Sequence, residues 1–252
     1  MKIIAIANQK GGVGKTTTAV SLATGLNKLG KKTLLIDTDS QCNSTDTYQA
    51  LVDNTATLYD LLFEEEPLIN CIQHTVVGDI VACDPLMREA EQRFPNDNSR
   101  SFILKEVCEP LKELDYDYVI IDTPPTMGVI LSNVLTLSDE IIIPVTCDRY
   151  GLAGMELLNQ TILSAKKYTN PNLKVAGILL IKYSERLNIC KEIVEGLPYI
   201  SSILNTKIFE TKIRESVACR EAQSSRISIY EYASTCSTAV DYYNLCKEFI
   251  EE

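Results

Sequence analysis

Five short apolar runs punctuate the chain: Ile3–Ala7, Thr33–Ile36, Tyr118–Ile121, Ile141–Val145 and Val175–Ile181. Each has the uninterrupted hydrophobic pattern of a strand buried on both faces. Between them, apolar residues return at helical spacing over Thr16–Leu29, Ser101–Leu114, Val129–Leu137, Leu152–Tyr168 and Asn188–Leu197. Apolar runs alternating with helices of this length predict crossover connections, and therefore a mostly parallel sheet with helices on both faces. Tyr48–Asn98 is less regular: Thr57–Phe63 predicts a short helix and Val76–Cys83 an added edge strand. Ser234–Ile250 predicts a closing helix. No repeat, low-complexity segment or Gly/Ser/Pro linker interrupts the 252 residues, so the pattern predicts one doubly wound α/β domain over residues 1–252.

Composition narrows the function classes. With 45% hydrophobic and 23% charged residues the chain is of ordinary globular type, which excludes disordered and fibrous architectures. No apolar run approaches the ~18–20 residues of a membrane span. Met1-Lys2 and a short apolar run lead into a glycine loop, not a signal-peptide cleavage site. Nine scattered cysteines without a CxxC pair read as reduced thiols of a cytosolic protein. His74 is the only histidine, which removes Ser–His–Asp and multi-histidine metal chemistry. The net charge of −10 hides an asymmetry: residues 166–226 hold eleven Lys/Arg against six Asp/Glu, a local +5, while residues 227–252 hold one lysine against five acids. Screening confines charge effects to about 8–10 Å, so the basic third can serve a partner of its own.

The strongest chemical signal follows the first apolar run: Asn8-Gln9-Lys10-Gly11-Gly12-Val13-Gly14-Lys15-Thr16-Thr17-Thr18. The common phosphate-loop spacing asks for glycine five places before Gly14 and meets Gln9, yet the chemistry survives. Gly11, Gly12 and Gly14 let the backbone N–H groups, Val13 among them, curl around a phosphate at the positive end of the following helix. Lys15 would bridge the β- and γ-phosphates of ATP, with Thr17 alongside, and the Thr16 hydroxyl would ligate Mg²⁺. Two acidic stations follow. Asp37 ends the second apolar run with Asp39 just beyond it, and Asp122 ends the third, before Thr123-Pro124-Pro125. Crevices beyond the carboxyl ends of parallel strands are where ligands bind in open α/β sheets.

Holding one nucleotide does not require the second loop lysine, Lys10. This KGGVGKTT form resembles the deviant Walker A loop of the ParA/MinD family of ATPases, and Asp37-Thr38-Asp39-Ser40-Gln41 is similar to the family's DxDPQ motif, with Ser40 in place of proline. Asp122-Thr123-Pro124-Pro125 resembles its D-x-P-P form of Walker B. The resemblance implies that Lys10 reaches across an ATP-dependent homodimer to the partner's nucleotide, Asp39 orients the attacking water, Asp37 supports the Mg²⁺ shell and Asp122 holds an Mg²⁺-bound water. Lys182, Tyr183 and the loop around Phe209–Arg214 fall where the family cradles adenine. Arg186 occupies the station at which Soj-like ParA proteins contact DNA. Arg214–Ser224 resembles the family stretch PRNVRLSEAPS, with Ala218 at its second arginine; whether Arg214 or Arg220 substitutes for it stays open.

The function implied by this resemblance is that of a chromosome- or plasmid-partitioning ATPase, cytoplasmic and nucleoid-associated. ATP closes a sandwich dimer that binds double-stranded DNA nonspecifically through the basic third, and a ParB-like partner stimulates hydrolysis and release. The chain starts at its first strand, which suits the short Soj-like type. A MinD-like membrane-cycling ATPase needs a basic amphipathic terminal helix, whereas Ser237–Glu252 sets Lys247 against Asp241, Glu248, Glu251 and Glu252. An iron–sulfur or electron-carrier ATPase stays open through one cysteine bridging a cluster across a dimer axis, with Cys83, Cys108 and Cys147 as candidates.

Overall fold

The apolar runs pair side by side. In the computed structural model, which describes residues 1–148 and 155–251, the strands are β1 (Lys2–Ile6), β2 (Thr33–Asp37), β3 (Ile72–His74), β4 (Asp79–Val81), β5 (Tyr118–Asp122), β6 (Glu140–Thr146), β7 (Lys174–Tyr183) and β8 (Ile213–Arg214). They form one eight-stranded sheet in the order β3-β4-β2-β5-β1-β6-β7-β8, parallel everywhere except between β3 and β4. In chain order the helices are α1 (Lys15–Lys28), α2 (Asn43–Thr47), α3 (Leu58–Phe63), α4 (Leu68–Cys71), α5 (Ala90–Arg93), α6 (Ile103–Val107), α7 (Val129–Leu137), α8 (Met155–Tyr168), α9 (Asn188–Leu204), α10 (Val217–Ser224), α11 (Ile229–Tyr232) and α12 (Ser237–Ile250).

Alternation along each strand divides the core in two. Ile4, Ile6, Leu35, Ile120, Ile142 and Leu179 pack with α1, α11 and α12 on one face. Ala5, Leu34, Ile36, Val119, Ile121 and Ile143 pack with α3, α6, α7, α8 and α9 on the other. This is the doubly wound architecture that the apolar runs predict.

The differences have local causes. Ser101–Leu114 is not one helix but a 3₁₀ turn at Asn98–Ser101, α6, and a second 3₁₀ turn at Glu109–Glu113. Pro110 supplies no N–H to continue α6. Asn133 on α7 clips the break, accepting from Leu104 N–H (3.0 Å) and donating to Arg100 O (2.7 Å). The strand predicted over Val76–Cys83 shortens to β4 and lies one place in from the edge, because the Thr75–Gly78 turn folds β3 antiparallel onto it. α9 runs to Leu204, past Pro198. The start of the helix predicted from Leu152 lies outside the described residues. His74 is exposed, its Nδ1 2.7 Å from Asp79 Oδ1.

Candidate nucleotide site

The loop after β1 is stiffened from below before any ligand is considered. Asn8 donates to Pro144 O (2.7 Å) and accepts from Lys10 N–H (2.9 Å), which moors the loop to β6. Gly12 and Gly14 have φ of +71°, and a Cβ on Gly14 would lie 2.7 Å from Ile181 Cδ1, so a side chain there would be strained and would push Ile181 aside. Lys15 opens α1 with its side chain buried, and burial lowers its pKa against the opposing pull of Asp122 and Asp39. A desolvated ammonium beside carboxylates has a strong demand for further anionic partners. The Lys10 ammonium lies 2.6 Å from both Asp148 oxygens and 3.2 Å from Thr146 Oγ1, held at the end of β6 within its own chain.

The acids converge because their strands are neighbours. Asp37 and Asp122 are register partners at the carboxyl ends of β2 and β5, so their side chains leave the same face. Asp37 accepts from Asp39 N–H (3.1 Å), Thr45 N–H (2.9 Å) and Thr45 Oγ1 (2.8 Å). It thus ties the Asp39 loop to α2. Burial, reinforced by Asp122, raises its pKa to about 8. Asp122 accepts from Ser44 Oγ (2.8 Å) through Oδ2, whereas its buried Oδ1 has no partner among the described residues. Burial raises its pKa to about 6, with the Ser44 bond and the neighbouring Thr16 hydroxyl pulling the other way. Asp39 lines the cleft and accepts from Gln41 N–H (3.0 Å). The Thr16 hydroxyl and the Asp39 carboxylate line the cleft, and the orphaned Asp122 oxygen is buried beside Thr16, so hard oxygen donors short of positive charge are present, which fits Mg²⁺.

The cleft has a volume of about 690 Å³ and runs from the phosphate loop beneath α10. That helix forms a wall: Gln223 Nε2 donates to Thr17 Oγ1 (2.5 Å), and Ser216, Cys219 and Arg220 line the opening. Lys182, at φ +53°, donates to Gly12 O (3.1 Å) and joins the lining. Tyr183 does not. It packs with the opposite core layer, and Lys212 lies 4.7 Å from its ring centroid.

The basic third is less uniform than its net charge suggests. Arg214 is half-exposed but paired, its Nε and NH2 donating to Asp241 at 2.9 and 2.7 Å, so the acidic tail offsets its charge. Arg226 pairs with Asp46 at 3.6 Å, and Lys174 sits at the amino-terminal end of β7, away from the cleft. Arg186 is exposed and makes no ion pair among the described residues; Arg220 is exposed, 4.0 Å from Glu215. Sequence reading missed Ser44, Thr45, Asp148 and Gln223, ordinary polar residues whose only signal is position after a motif or a strand. The apolar face of α12 is buried against α1, and among the described residues no helix is long and apolar enough to cross a membrane. Cys83, Cys108 and Cys147 are buried, not displayed for bridging two subunits.

Comparison with known proteins agrees with this geometry. A protein-family model described as an AAA domain matches residues 1–175. The chain is 35% identical to the chromosome partitioning protein ParA of Myxococcus xanthus, over 99% of this chain and 88% of that one. It is 36% identical to the sporulation initiation inhibitor protein Soj of Bacillus subtilis, over 98% and 97%. Among solved structures, cobyrinic acid a,c-diamide synthase from Mycobacterium smegmatis with bound ATP analog and magnesium matches with a TM-score of 0.85 at 25% identity, covering 100% of this chain and 95% of that one. A variant of McdA from Cyanothece, solved as an ATP complex, matches in fold with a TM-score of 0.86 at 22% identity, over 100% and 96%. With near full-length identity of this order and the phosphate loop, paired acids and parallel sheet in place, the chain belongs to the ParA/Soj family of partitioning ATPases.

Proposed function

We propose that this protein moves DNA in an ATP-driven cycle, on the nucleoid in the cytoplasm. ATP and Mg²⁺ occupy the cleft, two protomers close as a sandwich, and the dimer binds double-stranded DNA without sequence preference. Hydrolysis, stimulated by a ParB-like centromere-binding protein, releases it. The observation that carries the reading is the second loop lysine. Lys15 alone supplies the buried cation that a phosphate cradle needs, whereas Lys10 stands at the loop's outer side, held by Asp148.

Bound Mg²⁺ would offset charge developing on the terminal phosphates, with Thr16 and Asp122 holding it and Asp37 supporting their surroundings. Lys15 would bind the β- and γ-phosphates, aided by the loop N–H groups from Gly11 to Thr17. Asp39 would orient the attacking water, its own orientation set by the Gln41 N–H bond. Lys10 would leave Asp148 and neutralise the nucleotide of the partner subunit. Arg186 and Arg220 are exposed cations that would contact DNA; Arg214, half-exposed, would do so only by sharing its charge with Asp241.

DNA binding measured with ATP, with ADP and without nucleotide, at two salt concentrations, tests the reading. The expected result is ATP-dependent, sequence-indifferent affinity that falls steeply with salt. An ATP-bound dimer without affinity for any duplex at low salt would overturn it and point to a protein cargo.

A further inference from the structure

The short helix α2 continues the Asp39 loop and is tied to the fold at two neighbouring residues. Asp46 N–H donates to Cys42 O (2.8 Å) and Cys42 N–H to Asp39 O (2.8 Å), so any turn of α2 is passed back to Asp39. On the inner side, buried Thr45 donates twice to Asp37. On the outer side, Asp46 Oδ2 lies 3.6 Å from the Arg226 guanidinium, and Gln49 Nε2 donates to Arg226 O (3.4 Å). Successive residues stand about 100° apart around a helix, so the outer tie at Asp46 resists rotation about the inner one at Thr45.

The two residues that make the outer tie are held against their backbone preference. Arg226 closes α10 in the left-handed conformation at φ +54°, its N–H on Gln223 O (3.1 Å) and Ile227 N–H on Ala222 O (3.2 Å). Gln49 closes α2 in the same way at φ +55°, its N–H on Asp46 O (3.1 Å) and Ala50 N–H on Thr45 O (3.1 Å). Glycine is the ordinary residue at such a position, because it has no Cβ to strain. Here both helices end on long side chains instead, and the two helix ends are clasped to each other.

We propose that Arg226 is a positioning residue for ATP hydrolysis: its clasp on α2 holds the Asp39 loop in the arrangement that orients the attacking water. This inference rests on Asp39 having that role. The Arg226 and Asp46 side chains are 66% and 50% exposed, so their pair is weak and its loss is graded. Loosening a pair of this class should lower the fraction of loops in the productive arrangement about 3–5-fold. The phosphate cradle hangs from β1 and α1 and is not touched by the clasp. Arg226 also lines the cleft, so its rival role is a direct contact with nucleotide, which would appear in KM instead of kcat.

Arg226→Gly separates positioning from stability, because glycine suits the left-handed position while the side-chain tie is removed. In the full chain without DNA, kcat for ATP should fall about 3–5-fold. KM for ATP and sizing by light scattering in ATP should be unchanged, and the urea unfolding midpoint held or raised. Asp46→Asn should lower kcat to the same level and the double variant no further, since each removes the same tie. High salt should narrow the difference from the unaltered protein, because screening already weakens an exposed pair. Unchanged kcat, additive losses, a difference that high salt leaves untouched, or a fall in kcat matched by a fall in the unfolding midpoint overturns the proposal. So does a raised KM or a lost dimer. In any of these cases full activity in Asp39→Ala traces the failure to the water-positioning role, and an inactive Asp39→Ala confines it to the clasp.

Discussion

Replacing Asp148 with asparagine preserves the side chain's size and removes the charge that holds Lys10. That ion pair is 2.6 Å long and has side-chain exposures of 27% and 47% for Lys10 and Asp148. Such exposure puts it in the class of solvated pairs, worth ~0.5–1 kcal/mol, and not among buried pairs worth several. If Lys10 must leave Asp148 to reach the partner's nucleotide, each protomer surrenders the pair on dimerisation, and a symmetric dimer surrenders two. Asp148→Asn should therefore strengthen ATP-dependent dimerisation by about 1–2 kcal/mol, a Kd lowered ~5–30-fold. The measurement is a concentration series by light scattering or sedimentation in ATP, with Asp39→Ala present in both proteins so that nucleotide is not consumed. The gain should shrink at high salt, where the partly exposed pair is already screened. Lys10→Ala should remain monomeric in either background. An unchanged or raised Kd in Asp148→Asn would refute the idea that this pair restrains Lys10.

Asp39→Ala should bind ATP with near-normal affinity yet turn it over at least ~100-fold more slowly, since the cradle is intact and the water is not positioned; equal turnover would assign Asp39 a structural role. Arg214→Ala should lower stability by about 1 kcal/mol in urea unfolding, because the guanidinium is half-exposed while Asp241, 6% exposed, loses its bidentate partner and keeps the backbone N–H of residue 214. Arg186→Ala should leave stability untouched and weaken binding to every DNA sequence alike, so the two arginines separate by unfolding midpoint. Asp122 favours its protonated form in the fold, with a pKa of about 6 against the ordinary 3.8. Its penalty is absent below about pH 4, grows through the interval and is complete above about pH 6. Between pH 7 and 5 the nucleotide-free protein should thus gain stability relative to Asp122→Asn; parallel curves for the two proteins would contradict the burial argument.

β1, β2, β5, β6 and β7 were legible because they carry little but apolar side chains, whereas the short β3 and β8, with Gln73, His74 and Arg214, show no such run; the cradle was legible because its glycines, lysines and threonine lie in one unbroken segment. Asp37 and Asp122 were visible as strand-ending acids, although nothing linear shows that the two strands are adjacent and in register. Residues whose roles depend on a distant partner were not legible. Asn133 is one polar position on an apolar helix until α6 breaks beside it, and Arg214 reads as a free cation until α12 delivers Asp241. The same reason separates Lys182 from Tyr183: adjacent in sequence, they face opposite layers of the sheet, a distinction that a loop motif does not encode.

The bond from Gln223 to Thr17 joins the helix bearing Arg220 to the first turn of the helix bearing Lys15. A candidate DNA contact and a phosphate contact are therefore two ends of one lever, and a lever works in both directions. By thermodynamic linkage, whatever factor bound ATP adds to the affinity for DNA, bound DNA must add to the affinity for ATP. A protomer resting on DNA would then retain its nucleotide at concentrations that leave a free protomer empty. The DNA would act as a memory of nucleotide state, erased only where hydrolysis is triggered.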